Sequence, residues 1–246
     1  IKMDLKPIDL TLFSDNSEPH TKKKEKFTFF CQQRMGIPKG TDILWKALQF
    51  CKSDFQILQV DWRDTGTDEE NNTSLRLREN LPSKVKLIPM IKRKDIPGYY
   101  HSCDAVIGNL RIGSFEYIEL EAIMCKKPVI SFTDKKIKIS VDDKEIESPF
   151  IPDTNDPKDI AQVIDKLVVS DQFRQNIFKK EYDFVQNISD PKKAGEWWDS
   201  LFEKMIKENP SINRKSSGIT VKLRMLSFLI SNRLYFRKIK NYSRNA

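Results

Sequence analysis

The sequence predicts an α/β fold, an open parallel sheet flanked by helices, with further helices at its C-terminal end. Three observations carry this. Apolar stretches of strand length alternate with helix-period stretches between residues 27 and 132. The tight turns of an antiparallel meander are missing between them, so the strands pair in parallel through right-handed crossovers. Beyond residue 156 the periodicity is helical.

Each element follows in order. Phe27–Cys31 is a short aromatic strand, and residues 41–51 form a helix with Ile43, Leu44, Ala47, Leu48 and Cys51 on one face. Phe55–Val60 is a buried strand, 61–73 a polar loop, 74–81 a short helix and 84–88 a strand. A helix over 95–102 leads to the strand Ala105–Ile107, a helix over 114–124 and the strand 128–132. Helices are expected over 157–169, 171–187 and 191–207, and Pro210 with Ser216-Ser217-Gly218 marks a boundary. The expected organisation is an interdomain linker over 1–26, a ligand-binding domain over 27–207 and a basic tail over 208–246. Ile1 in place of Met predicts a chain that continues upstream.

Charge separates the tail from the domain. The net charge of +8 hides nine Lys and Arg and no Asp or Glu within residues 211–246, leaving 34 cations against 35 acids in residues 1–210. Cys31, Cys51, Cys103 and Cys125 lack metal-ligand spacing, and only His20 and His101 could join them, so no metal site is expected. Four cysteines beside apolar stretches predict reduced thiols and a cytoplasmic setting. No apolar run is long enough to cross a bilayer, and no signal-peptide pattern opens the chain.

In open parallel sheets ligands bind beyond the carboxyl ends of the strands, which directs attention to the loops after Cys31, Val60, Ile88 and Ile107. The first contains Arg34 and Lys39 around a turn made by Gly36 and Pro38. A guanidinium fork and an ammonium suit a diphosphate whose charge grows as it departs, although two cations in a loop are also simply solvated in most proteins. The loop after Ile107 runs through Gly113 and Ser114 into a helix carrying Glu116, Glu119 and Glu121. Backbone N–H groups at a helix start suit phosphate, and a nearby carboxylate suits ribose hydroxyls. Glu119 reads as a residue complementing the helix dipole.

The stretch from residue 27 to 132 resembles the donor-binding domain of retaining GT-B glycosyltransferases (glycosyltransferase group 1, family 4-like). Three segments carry the resemblance in the right order: Gln33-Arg34-(x)4-Lys39-Gly40, Tyr99-Tyr100-His101-Ser102-Cys103-Asp104-Ala105-Val106, and Leu120-Glu121-Ala122-Ile123 with Pro128-Val129-Ile130. Lys6-Pro7-Ile8-Asp9 through Phe13 resembles the family's interdomain linker. The resemblance implies a Rossmann-like C-terminal half of a GT-B fold and a hexosyltransferase-like, retaining enzyme acting in glycan biosynthesis. It implies that Arg34 and Lys39 hold the donor diphosphate and act in catalysis, and that Glu121 holds the nucleotide ribose. Gly113 and Ser114 would offer backbone contacts, and Met90 and Ile91 would lie near the base. No cofactor or metal is implied, because the cation pair neutralises the diphosphate. The partners implied are a nucleotide sugar, a glycan or lipid-linked acceptor and an N-terminal acceptor-binding domain absent from this chain; no nucleic acid is expected.

Two departures stand out. The family's first glutamate falls on Gly113 in strict register, so Glu116 would replace it only in a remodelled loop. Gln33 stands where the family has Gly. A non-catalytic nucleotide-sugar-binding module and a sugar-nucleotide epimerase of similar architecture are the alternatives. In the tail, Ile219, Leu223, Leu226, Ile230 and Leu234 recur at helical spacing among the cations. A helix on an anionic membrane surface, peripheral on its cytoplasmic face, is favoured over one docked against the absent domain.

Overall fold

The computed structural model describes residues 6–14, 18–20, 25–62, 66–141 and 144–208. The tail expectations beyond residue 208 lie outside the described residues. The chain divides into two units, Ile1–Glu196 and Trp197–Ala246, and the sheet belongs to the first.

Strand β1 (Phe27–Cys31) sits at the centre of a five-stranded parallel sheet. Around it lie β2 (Phe55–Val60), β3 (Val85–Ile88), β4 (Ala105–Ile107) and β5 (Val129–Ile130) in the order β3-β2-β1-β4-β5. Phe29 pairs with Ile57 on one side and Ala105 on the other, so β1 is hydrogen-bonded along both edges. Its side chains alternate between two cores, as the two-residue period of a strand requires. Phe29 packs with Leu44 and Ala47 of α1 (Thr41–Leu48) and with Ile160 and Ile164 of α5 (Pro157–Val169). Phe30 packs on the opposite face with Tyr100 of α3 (Ile96–Ser102), Leu120 of α4 (Tyr117–Met124) and Phe184 of α6 (Asp171–Ile188). Complete burial of each phenylalanine contributes about 1.5–3 kcal/mol, which fixes the strand's register against both layers.

Several boundaries differ from the sequence reading. The expected loop 61–73 is partly helix: α2 spans Asp68–Glu79. Thr67 accepts from the Glu70 N–H and the Glu70 side chain accepts from the Thr67 N–H, a reciprocal cap that starts a helix almost without apolar residues. α4 begins at Tyr117, not at 114, because Glu116 is its extended N-cap residue. Strand β5 keeps only two residues of the expected five, and Ile130 then bridges to Ile151. An unexpected antiparallel pair, β6 (Ile139–Val141) and β7 (Lys144–Ile146), lies between β5 and α5.

Parts of the expected linker are fastened to the first unit. Ile8 and Phe13 are buried in the core beside α3 and α4, and the Lys6 N–H donates to the Ile188 carbonyl. His20 donates its N–H to Gly98 O and stacks on Tyr99. Cys31, Cys103 and Cys125 are buried and Cys51 is half-buried. Burial pushes the Cys31 thiol up to about 12, so it stays protonated and inert. Helix α7 spans Pro191–Glu208, and its part within the second unit carries an exposed apolar stripe of Trp198, Phe202, Met205 and Ile206.

The chain lays β1, β2 and β3 outward on one side and then crosses back to place β4 on the other side of β1. That reversal opens a crevice beyond the carboxyl ends of β1 and β4, where open α/β sheets take their ligands.

Candidate functional site

Two loops meet at this crevice. The first leaves β1 through Gln32, is pinned at Met35 by the Trp62 carbonyl and by the Ser74 hydroxyl, and tightens into a 3-10 turn over Ile37–Lys39. Pro38 suits the first turn of such a helix, and Gly40 closes it at φ 76°, a left-handed conformation that favours glycine. The second requirement on Gly40 is proximity: a Cβ there would lie 3.0 Å from the Leu110 carbonyl carbon. Leu110 also donates its N–H to the Lys39 carbonyl, so the β1 and β4 exits are held backbone to backbone.

The second loop is organised by two buried polar residues. Asn109 accepts the Arg111 and Ile112 N–H groups on Oδ1 and donates Nδ2 to Glu116 Oε2 at 3.2 Å. Glu119 accepts the Asn109 N–H, the Ser131 hydroxyl and the Glu116 N–H at 2.8–3.0 Å. Three such donors satisfy a carboxylate that would otherwise be costly to bury. The carboxylate leaves no room at Gly108, where a Cβ would come within 2.3 Å of Glu119 Oε1. Glu119 is therefore a fastening for this loop as well as an acid in the first turn of α4.

Of the residues expected from sequence, Lys39 and Glu116 are brought into direct contact. Lys39 Nζ donates to both Glu116 carboxylate oxygens, at 2.5 and 2.7 Å, and the lysine side chain is 16% exposed. Arg34 leaves the same loop toward the β2 exit, its guanidinium 5.7 Å from the Trp62 ring centroid. The two cations thus reach different neighbours from one short loop. Gly113 takes φ 79° and its carbonyl accepts the Asp134 N–H, with Ser114 half-buried beside it. Neither Gly113 nor Ser114 lies at the helix start, because α4 begins later than expected. Gln33 is buried, with Nε2 directed at the Ile107 carbonyl and no partner for Oε1.

The third region lies at the β3 exit. Met90 is exposed and Ile91 half-buried, and both line an open cleft of about 590 Å³ together with Lys92, Asp95 and Tyr99. Glu121 is 3% exposed at its side chain and accepts from Arg93 Nη2 at 2.7 Å. Burial pushes its carboxyl above the ordinary range, and the hydrogen bond and charge of Arg93 pull it back. Tyr100, whose hydroxyl donates to Gln32 Oε1 and reaches the Ile118 carbonyl, ties the β1 exit to α4. Arg93, Asn109 and the fastening role of Glu119 went unread in the sequence. Only the position of Asn109 directly after a strand and before a Gly-containing loop could have signalled it.

Among the described residues no cluster of three or more His, Cys, Asp or Glu is poised to hold a metal ion. What the site offers an anionic ligand is a cation at each flank of one loop, a fixed backbone and carboxylates at set depths.

Fold and site together define a Rossmann-like ligand-binding domain with a crevice at its topological switch point. The chain belongs to the family described as glycosyl transferases group 1, whose sequence profile matches residues 13–184, more than half of its length. At the level of sequence alone, no curated protein matches. Among solved structures, Anabaena HepE in complex with UDP-glucose is similar with TM-score 0.61 and 18% identity over 80% of this chain and 56% of that one. Sucrose-phosphate synthase from Thermosynechococcus elongatus is similar with TM-score 0.60 and 16% identity over 82% of this chain and 52% of the synthase. The C-terminal domain of a glycosyl transferase group 1 family protein from Francisella tularensis gives TM-score 0.54 and 21% identity over 73% of this chain and 96% of that domain. The chain spans little more than half the length of the HepE and synthase structures.

Proposed function

We propose that this chain is the donor-binding, C-terminal half of a retaining GT-B glycosyltransferase that takes a nucleotide-diphosphate sugar. The observation that carries the reading is the junction of the β1 and β4 exit loops, where Lys39 is held at the switch point by Glu116, whose carboxylate also accepts from Asn109. Arg34 and Lys39 bind the diphosphate. As the bond between the sugar's anomeric carbon and the diphosphate oxygen breaks, that oxygen keeps the electron pair and the two cations neutralise it, with no metal. Glu121 accepts the ribose hydroxyls, Met90 and Ile91 flank the base, and the backbone of Gly113 and Ser114 faces the phosphates. Glu116, one residue before α4, takes the part of the carboxylate that the register leaves out at Gly113. The sugar passes to a glycan or lipid-linked acceptor held by a separate N-terminal domain. Similarity to the C-terminal domain of a Francisella tularensis group 1 glycosyl transferase, and to HepE in complex with UDP-glucose, supports this assignment.

The test is donor binding and turnover. Arg34→Ala and Lys39→Ala each weaken nucleotide-sugar affinity by about tenfold or more, since a charge-assisted hydrogen bond is worth about 1.5–3 kcal/mol. Unchanged affinity in both variants contradicts the site. A second reading, a non-catalytic nucleotide-sugar-binding module, is favoured by Gly113 at the register position of the first glutamate and by the engagement of Lys39 with Glu116. Donor binding without hydrolysis or transfer in the presence of the acceptor domain would select it.

The protein also acts at the cytoplasmic face of an anionic membrane in this reading. The nine cations of residues 211–246 and the Trp198-Phe202-Met205-Ile206 stripe supply charge and apolar area. No helix among the described residues is long and apolar enough to cross a membrane. Flotation with anionic vesicles at low salt, lost on removing residues 211–246, is the expected result; equal flotation of both forms contradicts it.

A further inference from the structure

A carboxylate that receives ribose hydroxyls, the role proposed for Glu121, must be held in place. Glu121 lies on α4 with its side chain almost wholly buried, and Arg93 is the partner its carboxylate accepts from. Arg93 comes from the 3-10 turn after β3, and its side chain is 60% exposed. Its guanidinium lies 4.9 Å from the centroid of the Phe13 ring, which is fully buried. Phe13 in turn packs at 6.3 Å against Tyr100. Arg93 is thus a strap with its planar head between a buried aromatic ring and a buried carboxylate, an arrangement suited to a delocalised cation.

We infer that Arg93 is a positioning residue for nucleotide binding: clamped against Phe13, it fixes one oxygen of Glu121 and orients the carboxylate to receive the ribose hydroxyls. This rests on the reading of Glu121 as the ribose acceptor. The charged and titratable groups that face Glu121 are few. Arg93 from the β3 exit favours the ionised form, Glu119 on α4 opposes it, and the Tyr100 hydroxyl on α3 is held neutral by burial. Arg93 is the cation in that set, so its removal leaves burial and Glu119 acting together to protonate Glu121. A protonated carboxyl keeps one good acceptor oxygen in place of two, and a ribose cis-diol needs both. The same strap makes residues 6–14 part of the nucleotide site's support through Phe13, although they touch no ligand.

The experiment uses the full 246-residue chain and whichever of UDP, GDP and ADP the wild type binds, titrated by calorimetry from pH 6 to pH 8. The variants are Arg93→Gln, Arg93→Lys, Glu121→Gln and the double Arg93→Gln/Glu121→Gln, with thermal melting as the check on folding. Glu121→Gln weakens nucleotide binding at every pH. Arg93→Gln weakens it by about tenfold at pH 6 and progressively less as the pH rises, and Arg93→Lys restores part of the loss. In the double variant Arg93→Gln adds nothing, because the group it acts through is gone. A carbon-13 titration of the Glu121 carboxyl without nucleotide moves upward in Arg93→Gln. If Glu121→Gln binds as the wild type does, the ribose assignment fails. If Glu121→Gln weakens binding but Arg93→Gln changes neither the pH profile nor the carboxyl titration, the positioning role fails. An equal loss from Arg93→Gln with and without Glu121 also overturns it, since Arg93 would then touch the nucleotide directly.

Discussion

The two flanks of the crevice are built in different ways. Where the β1 and β4 exits meet, the backbone itself is fastened: Gly40 admits Leu110, Gly108 admits Glu119, and Asn109 and Glu119 occupy several donors and acceptors each. At the β3 exit, Met90 stands in solvent and the main side-chain tether is the Arg93–Glu121 ion pair. Rigid backbone suits a diphosphate, which every nucleotide-diphosphate sugar shares. A flank set by a few replaceable side chains suits a base and ribose that vary between donors.

The contrast breaks most visibly at Gly108. Gly108→Ala drives a methyl group into the Glu119 carboxylate and should destabilise the domain by about 2–4 kcal/mol, with nucleotide affinity lost in parallel. Urea unfolding followed by tryptophan fluorescence measures the first, and wild-type stability would show that the loop is not fastened as described. Glu116→Ala acts on the ligand as well as on the start of α4, where it removes the N-cap side chain. Releasing Lys39 should strengthen binding of the nucleoside diphosphate by about threefold, while the extra affinity of the nucleotide sugar over it disappears. Calorimetric titration with the two ligands separates these effects; an equal loss for both would make Glu116 a purely structural cap.

Glu181 sharpens the comparison from beneath. It is fully buried, accepts the Val129 N–H at the start of β5, and has one oxygen without a partner. Burial holds its carboxyl well above the ordinary carboxylate range. The folded chain therefore keeps a proton that the unfolded chain releases. Stability from this group is complete below the unfolded value and is lost as pH rises through the folded one. Glu181→Gln should remove that slope and gain roughly 1 kcal/mol over the wild type on the alkaline side. Unfolding curves at several pH values that stay parallel for both proteins would contradict it. The smallest effect belongs to the open flank: Met90→Ala should change stability by less than about 0.5 kcal/mol while altering preference among uridine, guanosine and adenosine diphosphates.

Much of this was readable in the sequence because it depends on periodicity. The strands at Phe27–Cys31, Phe55–Val60 and Ala105–Ile107 fall where short apolar runs predict them, and the helices from Pro157 onward fall where the helical period does. The pairing of strands by parallel crossovers follows from that order. What escaped depends on polar contacts that leave no period. Helix α2 starts from the Thr67–Glu70 cap and not from an apolar face, and the start of α4 is set by the Glu119 carboxylate reaching back to the Glu116 N–H. The site divides in the same way. Lys39 and Glu116 were visible as charged residues in the two loops that a switch point would join. Arg93 was invisible, because its partner Glu121 lies in another element and an arginine in a polar turn reads as solvated.

The central claim is that a nucleotide diphosphate lies between the β1 and β4 exits, and backbone amide shift mapping tests it most directly. Adding the nucleotide to nitrogen-15-labelled protein should move the amides of Gly36, Gly40 and Asn109 through Glu116, with smaller changes at Met90 and Ile91. If those amides stay still while the separate cleft lined by Trp45, Leu77 and Lys84 responds, the diphosphate binds elsewhere and the account is wrong.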